Sequence, residues 1–344
     1  MPDAFDKKGL WARRGFLILN MSRPRTWVFA ISSFLLAYLR FGGSISCLIA
    51  PGIMSTALVS GATNLVNAYS DREEDALNQP IRSSWVSELG GRNVLISSIF
   101  FYVAALLSAL SLGYTFTAIS ILAIFDSLAY SLPPLRLKTR IIPGLLSFSG
   151  AVGLAFLGGE VAAGKLNLLD PVLWLVTFFM LAYGTVKNLP DYPGDRLAGI
   201  RTTATIFKSI GDAATATCII LISPYLLLTA LVFTGGLPQL FLANLLMVPI
   251  PIWLCLRSSC ARDTASLERI HTIGFVYATA FLNFNFLLCV PSMMAAASVA
   301  SVYGYLSLVG KLEIDSRREY MFPLEVKAQS VGTVETTTPL SVSS

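Results

Sequence analysis

The chain holds one histidine, His271, among 344 residues, and its five cysteines stand singly: Cys47, Cys218, Cys255, Cys260 and Cys289. Apart from the loose Cys255–Cys260 spacing, no pair is placed like metal ligands. A zinc or haem centre therefore has almost nothing to be built from. Lone cysteines of this kind read as small buried apolar residues. Charge is scarce too, at 13% of residues, against about 25% in a soluble domain. The N-terminal stretch lacks the small-residue cleavage site of a signal peptide, and Asp3 and Asp6 do not suit a mitochondrial transit peptide. Apolar residues are what the chain has in excess, 54% of the total with a mean hydropathy of +0.67.

Those residues fall in runs at about 26–41, 45–66, 93–112, 114–131, 141–163, 170–187, 213–234, 237–256 and 270–290, with a less apolar candidate at 292–309. Several approach the roughly 20 residues that cross a bilayer. The expected fold class is all-α, a polytopic membrane bundle of nine or ten transmembrane helices. Residues 1–22 read as a cytoplasmic tail with an interfacial helix near Trp11 to Met21, residues 23–310 as the membrane domain, and residues 311–344 as a polar, disordered tail. In the fifth run, Gly150, Gly153, Gly158 and Gly159 suit either close helix packing or room for a long apolar ligand.

Basic residues orient the bundle. With the N-terminus inside, nineteen of the 25 Lys and Arg fall in inside segments, and the outside loops hold Arg40 and Lys165. That bias predicts a cytoplasmic N-terminus. The membrane is either a bacterial inner membrane or a eukaryotic endomembrane. The bilayer, not nucleic acid, is the expected partner of these basic loops. Two inside loops, 67–92 and 187–212, are long and polar, as functional loops are.

The first of these loops begins with Asn67, Asp71 and Asp75, spaced i, i+4, i+8. On a helix these positions drift by only roughly 40° per step, so they share a face. Stacked carboxylates repel one another, and a hard cation such as Mg²⁺ relieves that repulsion and often brings a phosphate with it. Alone, the spacing reads first as a solvated helix end, since charge runs usually face water. The second loop repeats the chemistry with Asn188, Asp191 and Asp195, beside Lys187, Arg196 and Arg201. Pro190, Pro193 and Gly194 argue against a regular helix through both carboxylates. A third inside loop, YSLPPLRLKTR at 130–140, brings Arg136, Lys138 and Arg140. Such groups clamp phosphate oxygens, although positive-inside anchoring also accounts for them.

These motifs resemble the UbiA superfamily of intramembrane prenyltransferases. Asn67-x-x-x-Asp71-x-x-x-Asp75 is similar to its first Asp-rich motif. Asp191-x-x-x-Asp195, within K-N-x-x-D-x-x-G-D-R-x-x-G-I-x-T, is similar to its second. Tyr130-Ser131-x-Pro133-Pro134-x-Arg136-x-Lys138 resembles its loop after the fourth helix, and Ser22-Arg23-Pro24 its entry to helix one. The likeness runs over roughly residues 16–290. It implies helices around a central cavity open to lipid. It also implies Mg²⁺, replaceable by Mn²⁺, held by Asn67, Asp71, Asp75, Asp191 and Asp195. Arg23, Lys138, Arg136, Tyr130, Asn67 and Asn188 become diphosphate contacts, and Asp71, Asp191 and Lys187 catalytic groups. Departures exist: Ala68 follows Asn67, Ser83 follows Arg82, and no V-x-R-T follows the last Asp of motif one. The stretch Asn78 to Arg82 leans towards the branch holding chlorophyll, homogentisate and archaeal ether-lipid synthases.

The implied reaction moves an isoprenoid chain from a prenyl diphosphate to an electron-rich, aromatic or lipophilic acceptor. An allylic C–O bond ionises as cations take up the diphosphate charge, and a dry cavity protects the allylic cation. Asp191 is the candidate to orient the acceptor or take its proton. Two alternatives stand beside it. One is a terpene cyclase of the same superfamily, kept open by the altered flanks of motif one, Ala68 and Ser83. The other is a transporter, although Asp126 is the one acid well inside a run and carriers bury such groups mid-membrane.

Overall fold

In this computed structural model residues 4–44, 49–197, 199–260 and 264–314 are described, and their regular structure is all helical. Cys47 and most of the expected tail, from residue 315 on, lie outside the described residues. Helix α1 (Ala4–Met21) precedes α2 (Trp27–Arg40) and α3 (Ala50–Ser70). Two short helices, α4 (Asp75–Asn78) and α5 (Pro80–Leu89), fill the first long loop. Then come α6 (Gly91–Leu110), α7 (Tyr114–Ser131), α8 (Ile141–Ala162) and α9 (Pro171–Lys187). The second long loop carries α10 (Tyr192–Leu197). After α11 (Ile210–Phe233), a 3₁₀ stretch (Gln239–Met247) runs into α12 (Pro249–Ser259), followed by α13 (Thr264–Cys289) and α14 (Met293–Lys311).

Local chemistry sets the ends. The Asp170 carboxylate accepts from the Val172 amide at 2.7 Å, and Pro171 opens α9 where a missing N–H costs nothing. Ser209 and Ser292 cap α11 and α14 in the same way. Gly90, at φ 78°, breaks the chain between α5 and α6 in a conformation a side chain would strain.

Among the described residues, seven stretches are long and apolar enough to cross a membrane: α6, α7, α8, α11, the 3₁₀ stretch with α12, α13 and α14. The chain is a multi-pass membrane protein. The expected count of nine or ten spans is not reached on these terms. Helix α2 has 14 residues and α9 has 17. Helix α3 has 21 but carries Ser55, Thr56, Ser60, Thr63, Asn64 and Asn67 on the side facing a cavity, which lowers its hydropathy. The tenth candidate, 292–309, is present as α14. The interfacial helix expected near Trp11 is α1, begun earlier, at Ala4. Its Leu17 and Met21 pack on Leu65, Ala68, Val86, Leu89 and Val94, while Trp11 is exposed.

The main core joins α2, α8, α9, α11 and α13. At its centre the rings of Phe179 and Phe281 stack at 3.7 Å. A Cβ on Gly159 would lie 2.2 Å from the Phe34 carbonyl oxygen, and one on Gly153 2.9 Å from Thr177 Oγ1. These glycines let α2 and α9 press onto α8. Gly158 instead borders the cavity opposite Phe116. Both roles considered for the small residues of this helix are therefore present, at different positions.

Candidate active site

Two cavities meet inside the bundle. The larger, about 1450 Å³ with its open side, is walled by α2, α3, α7, α8, α9 and α13. Phe29, Val59, Phe116, Phe148, Val152 and Leu154 make much of its lining. The smaller, about 620 Å³, is polar and lies between the two long loops. Arg23, Asn67, Tyr130 and Lys187 line both, so these four side chains form the joint.

Helix α3 delivers the first motif and stops at Ser70. The helical path nevertheless continues: the Asp71 amide donates to Asn67 O at 2.9 Å and the Asp75 amide to Asp71 O at 2.7 Å. The second motif has no regular helix through both carboxylates, as expected: α9 ends at Lys187 and Asp191 lies in the turn that follows. A short helix, α10, does form and contains Asp195, with the Asp195 amide donating to Asp191 O at 2.9 Å. Pro193 is tolerated there because it sits in the first turn, where its missing N–H breaks no bond. Short helices α4 and α10 pack together and bring the two loops into register.

Of the expected residues, Arg23, Asn67, Asp71, Asp75, Tyr130, Lys138, Lys187, Asn188, Asp191 and Asp195 all line the polar cavity. Arg136 stands beside it, donating to Glu74 at 2.6 Å and 3.8 Å from Asp71. The ammonium of Lys138 contacts Asp71. Lys187 donates to the Tyr130 hydroxyl at 3.0 Å and lies 4.9 Å from the Phe148 ring centroid. Asn188 donates to Thr203 Oγ1 at 2.9 Å. Burial and the neighbouring Lys187 push Lys138 down to about 7, against the pull of Asp195 and Asp191. The ion pair with Asp71 acts in the same upward sense and favours the charged form.

Among the residues of the polar cavity absent from the sequence-based site are Gln79, Glu74 and Arg82. Gln79 accepts from the Arg23 guanidinium. Glu74 lines the cavity behind Arg136. Arg82, at 1% exposure, is bound to Asp75 and lies 3.9 Å from Asp71. Its sequence signal was ambiguous because basic residues in an inside loop also serve as anchors. Burial pushes the Asp75 carboxyl up, while Arg82 and Arg23 pull it back. Removing Arg82 would leave Asp75, 3% exposed, as an unpaired buried charge. Arg82→Met is therefore expected to cost about 3–5 kcal/mol of stability. Arg82→Met/Asp75→Asn should regain most of it. Thermal unfolding in detergent reads both, and a wild-type melting point for the single variant would refute this account.

Oxygen donors from Asn67, Asp71, Asp191 and Asp195 suit a hard divalent cation. As the side chains stand, no three acidic, His or Cys groups among the described residues converge tightly enough to hold one. The pairings of Asp71 with Lys138 and of Asp75 with Arg82 are part of the reason. The donor set fits Mg²⁺ by its chemistry, provided that a ligand phosphate draws the cations off the carboxylates.

The family model of the UbiA prenyltransferase family matches residues 26–286. The chain belongs to this family. Digeranylgeranylglyceryl phosphate synthase of Methanothrix thermoacetophila is 30% identical over 187 residues, 54% of this chain and 69% of that protein. The bacteriochlorophyll synthase 34 kDa chain of Chloroflexus aurantiacus is 30% identical over 181 residues, 52% of this chain and 58% of that one. A UbiA homologue from Archaeoglobus fulgidus, solved bound to DMAPP and Mg²⁺, superposes with a TM-score of 0.59 at 18% identity, covering 77% of this chain and 98% of that chain. At that identity the likeness is one of fold. The UbiA assignment makes this chain an enzyme, a prenyltransferase, and sets aside the transporter reading.

Proposed function

We propose that this UbiA-family enzyme moves an isoprenoid chain from a prenyl diphosphate to an electron-rich, aromatic or lipophilic acceptor within the bilayer. The observation that carries the reading is the joint: a charged cavity opens into a long apolar one at Arg23, Asn67, Tyr130 and Lys187. A prenyl diphosphate has the same two-part character, an anionic head and an apolar chain. The Archaeoglobus fulgidus homologue bound to DMAPP and Mg²⁺ supports it.

In this reading Asn67, Asp71, Asp191 and Asp195 hold Mg²⁺, or Mn²⁺ in its place, with Asp75 steadied by Arg82. Bound metal supplies charge neutralisation for the diphosphate. Lys138, Lys187 and Arg23 contact phosphate oxygens, with Arg136 and Asn188 at the rim, and stabilise charge as the allylic C–O bond breaks. Tyr130 holds Lys187 at the joint. The apolar wall keeps water from the allylic cation. Residues 23–310 form the catalytic membrane domain.

Product mass spectrometry tests this, with C10 to C20 donors and a panel of phenols and alcohols. Prenylated acceptor is expected. A cyclic hydrocarbon released from donor alone would move the assignment to a cyclase. The excess of Lys and Arg in inside segments supports a cytoplasmic position for both loops and the N-terminus. Cysteines at the exposed positions Glu73 and Leu197, in a background without the native thiols, should be labelled from that same side. Labelling from opposite sides would end the two-loop site.

A further inference from the structure

Asp126 is a carboxylate that the diphosphate site does not use. It lies on α7, four residues before Tyr130 and so on the same helical face. It lines the apolar cavity, whereas Asp191 and Asp195 line only the polar one. An acid within a membrane-crossing helix is costly and marks function by default. Most acids elsewhere in the bundle have a cationic partner, Asp71 in Lys138, Asp75 in Arg82, Glu74 in Arg136 and Asp170 in Arg40, while the buried Glu160 of α8 accepts from the Asn167 amide at 2.7 Å and lines neither cavity. Asp126 makes no ion pair among the described residues. On the neighbouring helix α8, the Ser147 hydroxyl is buried without a well-formed hydrogen bond, lines the same cavity and stands close to the Asp126 carboxylate. A carboxylate and a hydroxyl thus face the space where the reactive end of a prenyl chain would lie, on the dry side of the joint.

We propose that Asp126 receives the proton of a hydroxyl-bearing acceptor, an alcohol or a phenol, which Ser147 helps to hold in the apolar cavity. The proposal rests on the prenyl-transfer reading above and moves the base from Asp191 to Asp126. As the donor C–O bond breaks, its electron pair leaves on the diphosphate. The acceptor supplies the pair for the new bond to the allylic carbon, and its O–H proton passes to Asp126. An alcohol forms the bond through oxygen. A phenol forms it through a ring carbon, whose own proton then returns to the oxygen. Asp126 passes its proton to the departing diphosphate, whose cavity begins one helical turn away at Tyr130.

The test uses the full chain in nanodiscs with geranyl diphosphate and Mg²⁺. One arm supplies homogentisate as the phenol probe, the other a 1-alkylglyceryl phosphate as the alcohol probe. Transfer is read by product mass. Ionisation is read separately, without acceptor, as oxygen-18 scrambling from the bridging to the non-bridging positions of the donor. Asp126→Asn is expected to lose about 100-fold in transfer while ionising donor within about threefold of wild type. Asp126→Glu keeps the charge, so it guards against a folding defect, and should lose about tenfold in transfer by misplacing the base. Ser147→Ala should raise the acceptor KM about fivefold without touching donor affinity. Wild-type transfer by both Asp126 variants overturns the proposal. So does a parallel loss of ionisation, which would make Asp126 part of the diphosphate site. Wild-type enzyme that ionises donor but transfers to neither probe overturns the hydroxyl class. Wild-type enzyme that fails to ionise donor at all counts against the prenyl-transfer reading instead.

Discussion

Excess chelator is expected to abolish prenyl transfer, and Mg²⁺ or Mn²⁺ to restore it. The polar cavity carries five carboxylates, Asp71, Glu74, Asp75, Asp191 and Asp195, and the cations around them, Arg23, Arg82, Lys138 and Lys187 with Arg136 at the rim, only match that charge. A diphosphate added to that balance would bring negative charge with nothing left to compensate it in a confined space. Lys and Arg alone cannot both satisfy the carboxylates and hold the phosphates. Divalent cations can bridge the two sets of oxygens. The check is product formation in chelator, followed by titration of each metal. Full turnover without free divalent cation would remove metal from the mechanism.

Asp71→Asn and Asp191→Asn should each lose roughly 100-fold or more in turnover, because a ligand lost at a dry, charged site costs several kcal/mol at the transition state. The substitution keeps the shape and removes the charge, so folding should survive. Glu73, with its side chain 83% exposed and its charge near Arg72, serves as the control. Glu73→Gln should stay within about twofold, as exposed ion pairs are worth little. Glu74→Gln is expected between these limits, because Glu74 lines the cavity and positions Arg136. A solvated acidic face would give small, similar effects at all these positions. Near-wild-type turnover in Asp71→Asn and Asp191→Asn would show that the diphosphate binds elsewhere.

The helical class and the position of the acidic loops were legible because hydropathy and charge are one-dimensional signals. Apolar runs mark the bundle, and Asn67, Asp71 and Asp75 stand out against them by spacing alone. The second motif was readable as chemistry and as a helix end, but the short helix that holds Asp195 was not. Pro193 looked like a helix breaker, yet it falls in a first turn, a distinction that depends on where α10 starts. Arg82 and Gln79 were illegible as site residues because their roles arise from burial. An inside-loop arginine that anchors to headgroups and one that locks Asp75 have the same letter. The number of spans was blurred for a related reason. Helices α2, α3 and α9 are shielded by neighbours over much of their length, so their composition answers to protein contacts as well as to lipid.

Helix α3 carries a consequence for how the chain is made. Its cavity face holds two asparagines and a ladder of hydroxyls, which make it a poor candidate for partition into lipid as an isolated segment. Its most extensive partner is α6, one of the most apolar helices in the chain. The two are joined by the loop that bears the first acidic motif. During biogenesis α3 would therefore enter the bilayer as one arm of a hairpin, drawn in by α6 rather than by its own hydropathy. The segment that bears the chemistry then depends for its integration on one that takes no part in it. A polar substitution on the lipid face of α6 would silence the enzyme by leaving its active-site helix stranded in the translocation machinery.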